Sequence, residues 1–327
     1  MDLRILDLDG SLRSQSRFLN RYRPSIHRLA DWGPLVRLAC SFRRFEHFET
    51  ALADTLGSAT DETPALSFLG SGDFHHVSLA MLRRVPQPFN LLILDNHPDW
   101  MRGIPFLHCG TWLHHAAQLA NVRTIYHVGG NVDFDNRFRL LAPWQALRSG
   151  KIHVISGIRR FERGAWSEVA FPALRFQPNR EASPRRIDQL LHPLRAELAR
   201  WPLYVSLDKD VLTAKDAVVN WDSGHLMLAE VENVLSAFVD AAHHQLVGMD
   251  IVGDWSPVHL YGLSRRLLHL TEHPRLKVTP HAAAQSNQAT NLRLAQCVQS
   301  LTGGMAETGM SGQELLADQE QWLRIAG

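Results

Sequence analysis

The chain has little that would tie it to an oxidising compartment, a membrane or a nucleic acid. Its 327 residues include three cysteines, Cys40, Cys109 and Cys297, far apart and odd in number. No disulfide framework and no Cys-x-x-Cys zinc pattern follows from them. No apolar run approaches the roughly 20 residues that a membrane helix needs. The N-terminus lacks a basic stretch leading into an apolar segment, so no secretory signal is read there. The formal net charge is +1, too small for charge to drive binding to nucleic acid or a membrane surface. The arginine-rich pieces RRFERG, SPRRID and SRRLL are scattered and read as solvated faces. A cytoplasmic, reduced protein is therefore expected, with no nucleic-acid or membrane partner. Tyrosine is scarce too, at 4 residues against 18 histidines, and that excess of imidazole directs attention to metal ligands.

What is present is a series of short buried runs. LRILDL (3–8), ALSFLG (65–70), LLILD (91–95), TIYHVGG (124–130), KIHVIS (151–156), LYVSLD (203–208) and LVGMDI (246–251) are apolar on both faces. Strands of a parallel sheet covered by helices look like this. HVSLAMLRR, TWLHHAAQLA, FRLLAPWQALRSG, RRIDQLLHPLRAELARW and LAEVENVLSAFVDAA lie between or after them with apolar residues three and four apart, the helical spacing. The alternation predicts an α/β fold: one three-layer αβα domain with a mainly parallel sheet of about eight strands. The domain is expected over residues 1–301, with 157–186 as an insertion or long loop and 302–327 as a tail, helical in part. No internal repeat is visible.

Ligands of open parallel sheets bind beyond the carboxyl ends of the strands. Four of the runs lead straight into polar clusters: SGDFHHVS after ALSFLG, DNHPDW after LLIL, DKDV after LYVSL and DIVGDWSP after LVGM. Asp95, His97 and Asp99 form Asp-x-His-x-Asp; in extended chain, alternate residues project together. Asp208 and Asp210 repeat the spacing, and His75 or His76 adds an imidazole. Alone, Asp-x-Asp reads as a cap or turn and a helix-start His as a surface or capping residue, while Asp-x-His-x-Asp reads equally as a metal site. Together, at the ends of strands of one sheet, they supply four carboxylates and two imidazoles without sulfur. That donor set suits two Mn²⁺ ions, with Zn²⁺ or another divalent metal as the alternative.

These motifs, in this order, resemble those of the ureohydrolases, the family of arginase and agmatinase. LGSGDFHHVS (69–78) is similar to the family's Gly-Gly-Asp-His-Ser segment, LDNHPDW (94–100) to Asp-Ala-His-x-Asp, and SLDKDVL (206–212) to Ser-x-Asp-x-Asp. LHCGTWLHHA (107–116) resembles the His-Gly segment that follows, and MDIVGDWSP (249–257) the late Asp-x-x-Glu-x-x-Pro segment. The resemblance covers roughly residues 65–270. It implies an arginase/deacetylase-like fold and two Mn²⁺ ions held by His75 or His76 with Asp95, His97, Asp99, Asp208 and Asp210. It further implies hydrolysis of a non-peptide C–N bond by a hydroxide shared between the ions. Asp99 would bridge or orient that hydroxide, and His108 would shuttle a proton.

The departures bear on the substrate. The first motif has an extra residue and adjacent histidines; helix register favours His75. No Asp-Pro follows the third motif. The loop between Asp99 and His108 lacks the Asn and Ser that hold an α-amino acid in arginase, and the late Glu that grips a guanidinium is missing. Asp254, one residue displaced, is the expected substitute, and Trp221 and Trp255 are candidate pocket walls. A small cationic guanidino or amidino compound other than L-arginine is therefore expected, in a chain that could assemble as a homo-oligomer. Two alternatives share the fold: a metal-binding protein with weak or lost catalysis, and a single-zinc amide deacetylase. A third reading starts from LDLDGSL (6–12), which resembles the nucleophile motif of haloacid-dehalogenase-type phosphatases, with Asp7 as nucleophile. It leaves DNHPD and GDFHH unexplained, so DLDGS is read as the first strand and its turn.

Overall fold

The computed structural model describes residues 1–57, 64–130, 137–156, 184–260, 263–274 and 278–302. The segment expected as an insertion, from residue 157 to 183, and the tail from 303 onward lie outside the described residues. Among the described residues there are ten strands: β1 (Asp2–Asp7), β2 (Ser25–Arg28), β3 (Ala39–Cys40), β4 (Ala65–Gly70), β5 (Phe89–Asp95), β6 (Leu107–His108), β7 (Val122–Gly129), β8 (Ile152–Ser156), β9 (Leu203–Asp208) and β10 (Leu246–Val252). Eight of them form one sheet in the order β2-β1-β4-β10-β9-β5-β7-β8, every pairing parallel. β3 and β6 make a separate antiparallel ladder, with Ala39 opposite His108.

β4, β5 and β9 are buried at every residue and β10 at all but its first two, as both-face coverage requires. Alternate residues of β5 enter opposite layers. Leu92 and Leu94 pack with Val234 and Phe238 of the helix Leu228–Ala241 and with Leu294 and Val298 of the helix Pro280–Leu301. Leu91 and Ile93 pack with Phe45 and Phe48 of the helix Phe42–Leu56, and with Leu79, Leu82 and Trp112. The result is the expected three-layer α/β architecture.

Two expected helices are divided by proline, which removes a backbone donor and clashes with the preceding turn. FRLLAPWQALRSG becomes a 3₁₀ turn at Arg137–Leu141 and a short helix at Trp144–Arg148, parted by Pro143. RRIDQLLHPLRAELARW becomes Pro184–Leu191, a turn at His192–Leu194 containing Pro193, and Arg195–Leu198. β2 was not expected. It is an exposed sheet edge with no apolar run to announce it.

For the site, the decisive feature is strand order. β4, β10, β9 and β5 are successive neighbours, so the four polar segments at their carboxyl ends are delivered side by side. Ser206 of β9 stands opposite both Ile93 of β5 and Asp250 of β10.

Candidate metal centre

β4 ends at Gly70 and the chain turns into a 3₁₀ helix, Gly72–Val77, capped by the Ser71 hydroxyl, which accepts from the Asp73 amide. That turn aims His75 at the sheet end. Its Nδ1 lies 3.1 Å from Asp95 Oδ2, 3.0 Å from Asp99 Oδ2 and 3.6 Å from Asp208 Oδ2. The His97 Nδ1 lies 2.7 Å from Asp210 Oδ2 and 3.9 Å from Asp95 Oδ1. Two ligand trios result, His75–Asp95–Asp99 and Asp95–His97–Asp210, with Asp95 common to both. Backbone amides hold the carboxylates in place: His97 N donates to Asp95 Oδ1, Asn96 N to Asp210 Oδ1 and Asp210 N to Asp208 Oδ1. Asp99 sits at φ 49°, a left-handed conformation that a non-glycine residue keeps only when its surroundings hold it. Here the Leu113 amide binds its carbonyl and the Trp112 indole its Oδ2.

Burial of four carboxylates together is costly, and the titration behaviour records it. Burial pushes Asp208 up to about 8, assisted by the charge on Asp210. Burial and the charges of Asp99 and Asp210 push Asp95 well above the usual carboxylate range. Burial opposes a proton on His97, yet Asp210 outweighs it and raises that imidazole to about 10. His75 is raised as well, by Asp95 and Asp99 against burial. A cation would relieve all four.

The residues present fit such a cation. His75 Nδ1 and Asp95 Oδ2 are buried without hydrogen-bond partners. On the far side of the ring, His75 Nε2 meets Ser206 Oγ at 3.0 Å. The Ser206 hydroxyl donates to Asp250 Oδ1 at 2.7 Å, and Ser78 and Tyr204 also donate to that carboxylate. With its hydrogen committed, Ser206 accepts from His75 Nε2–H, so the neutral ring that a metal requires turns the lone pair of Nδ1 to the carboxylates. Metal-binding histidines are oriented in this way. Sequence reasoning missed this support; its only signal was polar Ser206 and Asp250 inside otherwise apolar strands.

Asp95, Asp99, His97 and Asp210 of the trios, with Asp208, form the floor of a cleft of about 280 Å³, walled by Pro98, Met101, Phe138 and Trp221, with His108 and Cys109 at its side. His108 Nδ1 accepts from the Gly110 amide at 2.9 Å, so a neutral ring carries its proton on Nε2. Gly72 lets the floor close up, since a Cβ there would stand 2.8 Å from Asp208 Oδ2 and 3.2 Å from Trp221 Cδ1.

The remaining candidates fall elsewhere, and Asp254 and Trp255 do not take the places expected of them. His76 joins neither trio; its ring lies against Phe45, and burial drives it down to about 3. Asp254 does not reach the cleft. Fully buried, it pairs with Lys209 Nζ at 2.9 Å and accepts from Gln15 and Asn291. Nor can the preceding position carry the missing Glu: Gly253 has φ +96°, and a Cβ there would lie 2.6 Å from Asp208 Oδ1. Trp255 lines a different cavity, with His269 and His273. Asp7 is the turn residue proposed for it, accepting from Gly10 N and from Arg13.

Comparison with known proteins gives the family and the fold. The Arginase family profile matches residues 51–257. A curated relative from Thermotoga maritima, an uncharacterized protein, is 28% identical over 196 residues, and the chain spans 60% of its length. Among solved structures, proclavaminate amidino hydrolase from Streptomyces clavuligerus superposes with a TM-score of 0.53 at 16% identity, covering 92% of each chain. An arginase from Bacillus subtilis gives 0.53 at 13% identity, covering 95% of this chain and 100% of that one. Those structures share the fold, and with the family match extending over more than half of its length, the chain belongs to the arginase family, the ureohydrolases.

Proposed function

We propose that this chain is a metal-dependent hydrolase of C–N bonds other than peptide bonds, acting on a small guanidino or amidino compound and not on L-arginine. The observation that carries the reading is the pair of trios sharing Asp95 at the floor of a cleft. One divalent ion would be held by His75, Asp95, Asp99 and Asp208, and the other by Asp95, His97, Asp208 and Asp210. Mn²⁺ is the ion that oxygen-rich, sulfur-free donors favour. Such ions supply a water of lowered pKa at neutral pH. Asp99, pinned by Trp112 and Leu113, orients the attacking water over the sp² carbon. His108, whose Nδ1 accepts from the Gly110 amide, presents Nε2–H at the side of the cleft as a hydrogen-bond donor to the departing nitrogen. The cleft walls keep bulk water from the reacting centre.

Metal content of the full chain, reloaded with Mn²⁺, tests the reading. Two ions per chain are expected, with urea or ammonia released from guanidino or amidino compounds. Asp95→Asn should lose both ions, and Asp210→Asn the ion of the His97 trio. One ion insensitive to Asp210→Asn would favour a single-zinc deacetylase instead. A second reading rests on Gly253 and on Asp254 being committed to Lys209. With no second carboxylate for the substrate, the chain would bind metal without turning over any such compound.

A further inference from the structure

We infer that the cleft selects a guanidino or amidino compound whose non-reacting end is apolar, with Trp221 as the side chain that selects it. This rests on the hydrolytic reading of the floor. Every carboxylate among the described lining residues belongs to the two trios or to Asp208 beside them, and no Lys or Arg is among those residues. Among those residues an α-amino acid tail finds no cationic side chain for its carboxylate, and a buried charge without a partner is strongly disfavoured. An apolar tail meets Met101, Phe138, Pro98 and Trp221 instead, and gains by leaving water.

Trp221 is built as a fixed wall. Its indole N–H donates to Asp73 Oδ1 at 3.0 Å. Its ring stands 5.5 Å from the His97 ring and 4.4 Å from that of His273. Asp73 is itself clamped: Arg37 Nε lies 2.6 Å from Oδ2 and His273 Nε2 lies 2.6 Å from Oδ1. Burial would raise its pKa, but Arg37 and His273 hold it well below the usual range, so it stays an acceptor. A wall fixed from behind in this way discriminates by shape, because little ordering remains to be done on binding. Asp73 is a positioning residue here; Trp221 touches the substrate.

The experiment is calorimetric titration of the Mn²⁺-loaded full chain with benzylguanidine, methylguanidine and L-arginine, with urea release followed separately. Benzylguanidine should bind at least ten-fold more tightly than L-arginine. Trp221→Ala should weaken benzylguanidine at least ten-fold more than methylguanidine. Phe138→Ala, at an exposed wall position, should act in the same direction and guards against a folding defect in the first variant. L-Arginine binding as tightly as benzylguanidine, no saturable binding of benzylguanidine, or equal weakening of both guanidines by Trp221→Ala would each overturn the inference. Tight, Trp221-dependent binding without urea release from any compound would sustain it and overturn the hydrolytic reading instead.

Discussion

Single residues carry the sharpest energetic statements. Lys209 stands between Asp208 and Asp210 in sequence, yet its fully buried side chain points away from them, to Asp254 and to Asn291 Oδ1. That pair anchors the Asp-x-Asp turn from below. Lys209→Met would leave Asp254 charged and unpaired in the interior, which costs about 3–5 kcal/mol. Chemical denaturation should show that loss, and adding Asp254→Leu should recover part of it. Gly253 makes a comparable case through backbone. An alanine there must take φ +96° and place its Cβ against Asp208 and Lys209, so Gly253→Ala should cost about 1–3 kcal/mol and weaken metal binding in the same protein. An alanine variant as stable as the parent would show that the turn can relax, and would reopen this position to a substrate-binding side chain.

Secondary-structure elements supply alignment. β9 and β10 each carry one polar residue inward, Ser206 and Asp250, and their parallel register sets those two opposite each other. The chain Asp250–Ser206–His75 fixes which nitrogen of His75 faces the floor. Ser206→Ala breaks it without touching any carboxylate of the floor. Loss of such supporting hydrogen bonds typically lowers metal affinity by about 10–100-fold, and competition titration against a chelating dye would read it. An unchanged affinity would mean that packing alone orients the imidazole.

At the scale of the whole molecule, the buried charges couple stability to pH and to metal. His97 titrates near 10 rather than 6.5, and Asp208 near 8 rather than 3.8. A group whose pKa rises on folding holds its proton more tightly when folded, so stability is lost as pH climbs from the unfolded value to the folded one. Both windows are open between 6.5 and about 8. His76 and His127, lowered to about 3 and about 4, act with the opposite sign, but their windows close by 6.5. The metal-free chain should therefore melt at lower temperature at pH 8 than at pH 6.5. With saturating Mn²⁺ the ion takes the place of the protons, its affinity grows with pH, and that decline should flatten or reverse. Parallel melting curves with and without Mn²⁺ would count against placing the ions at these groups.

Much of this was legible in the sequence, for a physical reason. A both-face apolar run makes a buried parallel strand by local rules, but His97 and Asp99 lie past the end of β5, and Asp99 reaches the floor in a left-handed conformation and not by the extended alternation expected of it. The sequence by itself therefore determined the layered α/β fold and which strands end in His and Asp clusters, and its register favoured His75 over His76. It could not announce β2, whose exposed edge position leaves no apolar mark. It misplaced Asp254, because Lys209 lies 45 positions earlier and Asn291 lies 37 positions later. Nor could it show that Trp221, and not Trp255, walls the cleft, since Asp73, 148 positions earlier, and the more distant Arg37 hold that ring. Only the tertiary structure decided these points: spacing along a chain sets which neighbouring side chains project together, whereas the partner of a buried charge is chosen by whichever distant element packs beside it.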